Sequence, residues 1–501
     1  MNRDLSQAPL RILLASAEAQ SLAGSGELAE FSATLSMTLG TLGHDIRLVL
    51  PAYSQVMTQN RQLKQVARLR LPGCDTVATL LQGTLDNGIT LYLLQLPGLF
   101  DRDGDPYRNA DGTPWKDNGR RFGLFSRAVS LLAINQAGIN WQPDLLHCAG
   151  WGSALAVPLV AGEWNRPATI FSLHRAEQET LDSDQIRSLA LPLELLKSGA
   201  LTTEGGFAFE RAAAITADRV LLPSGGYRNE LLQGAAAHPL AADLAPRQDE
   251  VRGVFSGIDY QRWSPTTDPF IEQHFDSASF ELKRLNRTRL QEELALPIDD
   301  GHLLLGYLPD EPSPQERELV GQLLEKMEDF PSVHIVAALA GDASTRQAMQ
   351  ALAGRFPGAL TLRSGENEAL KHRILASSDC LLLSASDYPS PRPALAALGY
   401  GTLPIAHATA VMRESLTDAT PGNLLNGVAS GFLYPENRID PLLEALERAI
   451  RFHAKPPVWR RKLAQHIMGQ SFPPSRAAAE YIELYHSAID QPAGKSLAGT
   501  L

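Results

Sequence analysis

Short apolar runs alternate with longer amphipathic stretches from one end of this chain to the other, the pattern of parallel strands joined by crossover helices. The first half predicts strands over 11–15, 46–50, 91–96, 144–147, 168–173 and 219–223. The second half predicts strands over 302–308, 333–340, 379–384, 402–406 and 432–434. Two doubly wound sheets in tandem follow. The stretch 235–252 is rich in Ala, Pro and charge, and the next residues, Gly253-Val254-Phe255-Ser256-Gly257-Ile258-Asp259, are poor in helix formers, so a hinge is expected there. That divides the chain into an N-terminal domain over 1–250 and a C-terminal domain over 251–474. A helix over 475–490 closes the chain, and 491–501, bearing Gly, Ser and Pro, is expected to be a flexible tail.

Length supports the same division, since 501 residues exceed what one hydrophobic core usually holds. Charge narrows the partners. With 45 Lys plus Arg against 56 Asp plus Glu, the formal net charge of -11 leaves no footprint for general nucleic-acid or anionic-membrane binding. An anionic substrate would need a local basic cluster. Cys74, Cys148 and Cys380 are scattered and odd in number, against a disulfide framework or a metal motif, and a reducing cytoplasm fits best. The apolar run after Leu10 is broken by Arg11 and Glu18 and suits a buried strand better than a secretory signal.

Several segments carry a resemblance. Residues 11–51 open with RILLASAEAQSLAGSGELAEF, and 100–122 hold Phe100-Asp101-Arg102-Asp103, Pro106-Tyr107, Trp115-Lys116-Asp117-Asn118 and Arg121-Phe122. Further on come WQPDLLHCAGW at 141–151, Ala217-Asp218-Arg219 to Tyr227, Gly257-Ile258-Asp259 with Trp263, Pro265 and Asp268-Pro269, Tyr400 to Pro404, and Asn426 to Phe432. In order and spacing these resemble the bacterial glycogen synthases and plant starch synthases from about residue 11 to 485. The resemblance implies an α/β, GT-B architecture: two Rossmann-like domains facing across a cleft, the C-terminal one of donor-nucleotide type, with the closing helix 475–490 packing back on the N-terminal domain. It implies ADP-glucose or ADP, and an α-1,4-glucan, as ligands, and a retaining glucosyl transfer with no metal or other cofactor.

Such a transfer leaves a diphosphate whose growing charge must be met by cations and helix N-termini. The positions matching the family's catalytic groups differ here. Its Lys-Thr-Gly-Gly-Leu becomes Gly24-Ser25-Gly26-Glu27-Leu28. The inner His-Asp of its His-Ala-His-Asp-Trp becomes Ala149-Gly150. The Arg and Lys of its Gly-Arg-Leu loop fall on Tyr307 and Pro312, with no Lys or Arg before Arg317. The glutamate of its Glu-Pro-Cys-Gly-Leu loop falls on Tyr388, and its Thr-Gly-Gly-Leu becomes Thr409-Ala410-Val411-Met412.

The residues left as candidates for a ligand cleft are Glu18, His147, Trp151, His174, Arg175, Asp387, Tyr388, Ser390, Arg392, Thr409 and Arg413. Most follow strands, where open α/β sheets bind ligands. For each a plainer role stands beside the functional one: His147 and Trp151 as core residues, Glu18 as a capping carboxylate, the 387–392 cluster as a solvated connection. Three functions stay open: a glycogen-metabolism protein with weak, changed or absent glucosyl transfer; an active synthase in which Arg175, Arg392 or Arg413 replaces the missing cations; and a non-catalytic protein that binds glucan or another enzyme of glycogen metabolism.

Overall fold

The computed structural model describes residues 8–24, 26–59, 62–174, 180–234, 238–299, 301–309, 312–339, 343–364, 368–385 and 390–492. The chain divides into two compact units, Met1–Ser256 together with Pro474–Leu501, and Gly257–Pro473.

The first unit is built on β1 (Arg11–Ser16), β2 (Asp45–Pro51), β3 (Lys64–Leu69), β4 (Ala78–Thr84), β5 (Thr90–Gln95), β6 (Leu145–Ala149) and β7 (Ala168–Ser172). A small ribbon of β8 (Thr202–Thr203) and β9 (Gly206–Phe207) precedes β10 (Arg219–Leu222) and β11 (Val251–Gly253). Nine of these form one sheet in the order β11-β10-β7-β6-β1-β2-β5-β4-β3. Ladders are parallel except that β4 runs antiparallel to both its neighbours. Strands β1 and β6 are apolar nearly throughout because helices cover both faces of the sheet and leave no polar side. The strand order reverses between β1 and β6. The terminal helix Pro474–Asp490 belongs to this unit and packs on β7 and on helix Glu27–Thr41. Arg219 ties it down, donating to the carbonyls of Ser487 at 2.6 Å and Gln491 at 3.1 Å.

The second unit holds β12 (Leu303–Tyr307), β13 (Val333–Leu339), β14 (Leu360–Ser364), β15 (Cys380–Leu383), β16 (Leu403–His407) and β17 (Phe432–Tyr434), all parallel, in the order β14-β13-β12-β15-β16-β17. This is the doubly wound dinucleotide-fold order, and its switch point lies between β12 and β15. A buried polar knot braces the unit. Asp268, fully buried, accepts from the Tyr400 hydroxyl at 2.5 Å and pairs with His372 Nδ1 at 2.8 Å, while Trp263 stacks on the His372 ring at 4.2 Å.

Strands β3, β4, β8, β9, β11 and β14 escaped the apolar pattern. The first two form an extension with half-exposed residues on both faces, so Lys64, Gln65, Arg68 and Gln82 interrupt the run. Strand β11 has three residues, too few for any period. The expected tail is described only through 492.

Candidate functional site

In the first unit the candidates gather where β1, β6 and β7 end. The chain leaves β1 at Ser16, whose hydroxyl oxygen accepts from the Glu18 N–H at 3.1 Å and from the Ser32 hydroxyl at 3.0 Å. Glu18 is thereby turned inward, 7% exposed, and its Oε1 accepts from the Tyr107 hydroxyl at 2.6 Å. Tyr107 and Trp151 both lean on Phe122, with ring centroids 5.5 and 4.7 Å away. The outcome is a carboxylate against an aromatic cluster, drawn from four separate segments.

Two glycines shape the turns around it. Gly24 sits at φ +80, and a Cβ there would lie 2.1 Å from Glu18 Oε2. Gly150 has φ 70 and ψ 171, a region open in practice to glycine alone, and its Cβ would lie 2.7 Å from Leu28 Cδ2. Side chains at these positions, which the resemblance sets against the family's Lys and Asp, would be strained by the positive φ and would have to displace the ends of Glu18 and Leu28. The first turn of the following helix, Glu27–Thr41, carries Glu27 and Glu30, so its N-terminal dipole already faces carboxylates.

His147 leaves the candidate set. It is fully buried, with Nδ1 2.7 Å from the Tyr485 hydroxyl and Nε2 against the Ser172 hydroxyl, so neither ring nitrogen remains for a ligand. Burial, helped by nearby His174, pushes its imidazole down to about 3, and it is neutral at physiological pH. His174 lies beyond the end of β7, 7% exposed, its ring 4.3 Å from that of Phe31. Ala149 ends β6 fully buried. Arg175 lies outside the described residues.

In the second unit the switch point is occupied by neutral hydroxyls and a carboxylate. Tyr307, the last residue of β12, is 1% exposed and donates to Glu316 Oε1 at 3.1 Å. Ser384, just past β15, donates to the same oxygen at 2.7 Å. Glu316 is placed there because Ser313 caps the helix Pro314–Glu325 through the Glu316 N–H. Pro312 is buried, and its carbonyl accepts from Arg317 Nη1 at 2.7 Å, which turns that first downstream cation back on its own loop.

The other cations have structural partners too. Arg392, 6% exposed, donates to the Gly257 carbonyl at 3.2 Å, and its N–H meets the Ser390 hydroxyl at 3.3 Å. Arg413 donates through Nε to the Ala408 carbonyl at 2.7 Å. Thr409 caps the helix Ala410–Ser415 through the Met412 N–H. Asp387 and Tyr388 lie outside the described residues. Spacing pointed to Tyr307 and Thr409, whereas Glu316, Ser384, Tyr485 and Ser172 were missed. The one available signal was Ser313 three residues before Glu316, a capping pattern.

Known proteins match this chain along nearly its whole length. The family model described as "Starch synthase catalytic domain" matches residues 11–246. Glycogen synthase 2 of Nitrosococcus oceani is 35% identical over 483 residues, covering 96% of this chain and 98% of that protein. The chain belongs to the glycogen and starch synthase family. The glycogen synthase of Thioalkalivibrio sulfidiphilus is 34% identical over 484 residues, covering 96% of this chain and all of that protein (100%). Among solved structures, the catalytic domain of starch synthase IV from Arabidopsis thaliana, bound to ADP and acarbose, superposes with a TM-score of 0.85 at 23% identity, over 96% of this chain and 100% of that one.

The fold is therefore GT-B, and the motif resemblance extends to the whole family member. Within that family, the two turns that end β1 and β6 are here built on left-handed glycines, and the end of β12 on a buried tyrosine. No helix among the described residues is long and apolar enough to cross a membrane.

Proposed function

We propose that this glycogen-synthase-like glycosyltransferase has weak, changed or absent transfer of glucose from ADP-glucose to an α-1,4-glucan, and serves glycogen metabolism in the cytoplasm. The observation that carries the reading is the buried Tyr307–Glu316–Ser384 set at the β12/β15 switch point. A diphosphate brought there would meet a carboxylate where transfer requires cations. Each cationic or oxyanion donor removed from such a site costs about 2.7–4 kcal/mol in barrier. Several losses together consume most of a typical enzymatic acceleration of about 8–23 kcal/mol. The glycines at 24 and 150 support the same reading, because side chains at those positions would be strained by the backbone now found there.

The second unit is assigned the donor-nucleotide role and the first the glucan role. Glu18, Tyr107, Trp151 and His174 are the groups proposed to face a glucan. Ser390, Arg392, Thr409 and Arg413, with Asp387 and Tyr388, are those proposed to face what remains of a donor site. A second reading, non-catalytic glucan binding, is favoured by the carboxylate-and-aromatic grouping of Glu18 with Tyr107 and Trp151, which suits sugar hydroxyls and sugar faces.

Calorimetric titration with ADP-glucose, ADP and maltoheptaose, beside incorporation of labelled glucose into maltoheptaose, separates these readings. Weak or absent donor binding without turnover is expected. Glucan binding alone supports the second reading. Tight, salt-sensitive ADP binding with turnover at rates usual for the family overturns both and directs attention to Arg175, Arg392 and Arg413.

A further inference from the structure

Residues 448–473, the end of the second unit, carry six Lys or Arg and no Asp or Glu, in a protein whose formal charge is -11. The structure folds this run into the last turns of helix Ile439–His453, a short connection, and helix Pro457–Met468. The second helix buries Leu463, Ala464 and Ile467 and leaves Val458, Arg461, Lys462 and Gln465 exposed. Those four recur at spacings of three and four, so they form one solvent-facing stripe.

Little in the molecule answers the charge of this stripe. Lys455 and Lys462 make no ion pair among the described residues, and Lys455 stands over the Trp459 ring, 5.1 Å from its centroid. Arg461 has a loose contact with Glu281, at 3.8 Å, and a long bond to the Ala278 carbonyl at 3.3 Å. The helix itself adds to the field. No side chain caps its N-terminus and its first turn holds no acid, so the positive end of the dipole stands uncompensated before three cations at 460–462. That arrangement is unfavourable within the chain and favourable toward an anion brought from outside.

The face is not only charged. Val458 is 53% exposed, and it lines a cavity of about 640 Å3 with Pro457 and Phe280, the apolar lining residues that still reach solvent; Arg460 and Arg461 border the same cavity. The cavity lies beside Leu303, Cys380 and Leu403, the first residues of β12, β15 and β16, whereas Tyr307 and Ser384 stand at the opposite ends of those strands. Cations beside an open apolar hollow match a chain in which carboxylates flank apolar side chains.

We propose that this face docks an acidic peptide segment of a partner protein, its carboxylates paired with Arg461, Lys462 and Lys455 and an apolar side chain between them set against Val458 and Phe280. Length and range of charge favour a peptide. Helix Pro457–Met468 has 12 residues and is about 18 Å long. Five or six extended residues, at about 3.3 Å each, span it. At physiological salt the field of exposed charges reaches about 8 Å, so a short peptide meets the basic face alone. A nucleic-acid duplex or an anionic membrane would extend over the rest of a negatively charged protein. The face uses none of the groups proposed to act in glucosyl transfer.

The test is fluorescence anisotropy on the full chain with a labelled octapeptide of six Glu carrying Leu at its third and sixth positions. Labelled octaglutamate, the same Leu peptide with Gln for every Glu, and a short DNA duplex are the comparisons. The Glu/Leu peptide should bind with a Kd of about 0.1 mM or tighter at about 50 mM salt, and several-fold more weakly at about 200 mM. Octaglutamate should bind about threefold more weakly or worse, and the Gln peptide and the duplex about tenfold more weakly or worse. The double variant R461S/K462S changes two exposed side chains, so it keeps its fold, which circular dichroism verifies, and it should weaken binding by about tenfold or more. Arg438→Ser removes an exposed cation at the other end of helix Ile439–His453 and should leave binding unchanged. The proposal is overturned if the Glu/Leu peptide does not bind, if octaglutamate, the Gln peptide or the duplex binds as tightly, if R461S/K462S keeps the parent affinity, or if Arg438→Ser lowers it equally.

Discussion

Replacing Gly150 by alanine adds one methyl group to a fully buried turn, and the structure sets what that costs. With φ 70 and ψ 171, the residue lies where side-chain-bearing residues pay about 1–3 kcal/mol in backbone strain. The new Cβ would also stand 2.7 Å from Leu28 Cδ2, and displacing that flexible side chain adds about 1 kcal/mol. The sum, about 2–4 kcal/mol, is a large share of the stability of an ordinary domain. Gly26 provides the control. Its φ of -88 suits any residue and a Cβ there meets nothing within 4 Å, so Gly26→Ala should cost only the poorer cap that alanine makes for the helix Glu27–Thr41, about 0.5–1 kcal/mol. Urea midpoints of the two variants, with hydrogen exchange across β6 to assign the change to the first unit, make the comparison. If Gly150→Ala unfolds at the same urea concentration as the parent, the turn does not depend on glycine, and the case that it has been rebuilt around the loss of a side chain fails.

Three further outcomes are expected. Because His147 is held near 3 in the folded protein against about 6.5 unfolded, the unfolded chain binds more protons below 6.5. Stability present above that pH should fall as pH drops, by up to about 1.4 kcal/mol per unit, and His147→Gln should flatten this acid limb in urea midpoints taken at about pH 7, 6 and 5. Tyr307→Phe removes a buried hydrogen bond to a carboxylate and should cost about 1.5–3 kcal/mol in the second unit, read through the fluorescence of Trp263 and Trp459; an unchanged midpoint would mean that Glu316 is held without it. Burial raises the Asp268 carboxyl, yet bonds from His372, Tyr400 and the Phe270 N–H outweigh it and hold the group below its ordinary value, so its contribution is present above about pH 4 and lost in acid. Asp268→Asn should cost about 2–3 kcal/mol at neutral pH and lose that acid dependence, and thermal melts at two pH values would reveal a variant that does neither.

Most strands were legible because a sheet covered on both faces writes them as unbroken apolar runs, as in RILLAS and LLLGY. Strands β3 and β4 were not, since a half-exposed extension tolerates Lys64, Gln65 and Gln82. At the site, positions at or just past strand ends were legible, and Glu18, His174 and Tyr307 stand there. Their partners were not. His147 meets Tyr485 across a sequence separation of 338 residues, and local spacing carries no trace of such a pairing. Nor does sequence reveal a positive φ: Gly24 and Gly150 were seen as lost side chains, whereas the structure makes them conformational requirements.

The two glycine turns are not independent losses. They follow neighbouring strands, β1 and β6, and each abuts the same short segment: a side chain at 24 would strike Glu18, and one at 150 would strike Leu28, four residues beyond Gly24. Admitting a side chain at 24 means pushing Glu18 away, and with it the carboxylate that Tyr107 holds. Admitting one at 150 means moving Leu28 and the start of the helix Glu27–Thr41 that carries it. Gly24→Lys or Gly150→Asp, made to restore a family group, would therefore disturb the turn that is to present it before it could meet a substrate. Groups that act as a unit are lost and regained non-additively, and here the unit includes backbone. On the proposed reading, raising transfer would have to begin by giving the β1 and β6 turns conformations that side chains can adopt, and only then supply cations at 307 and 312.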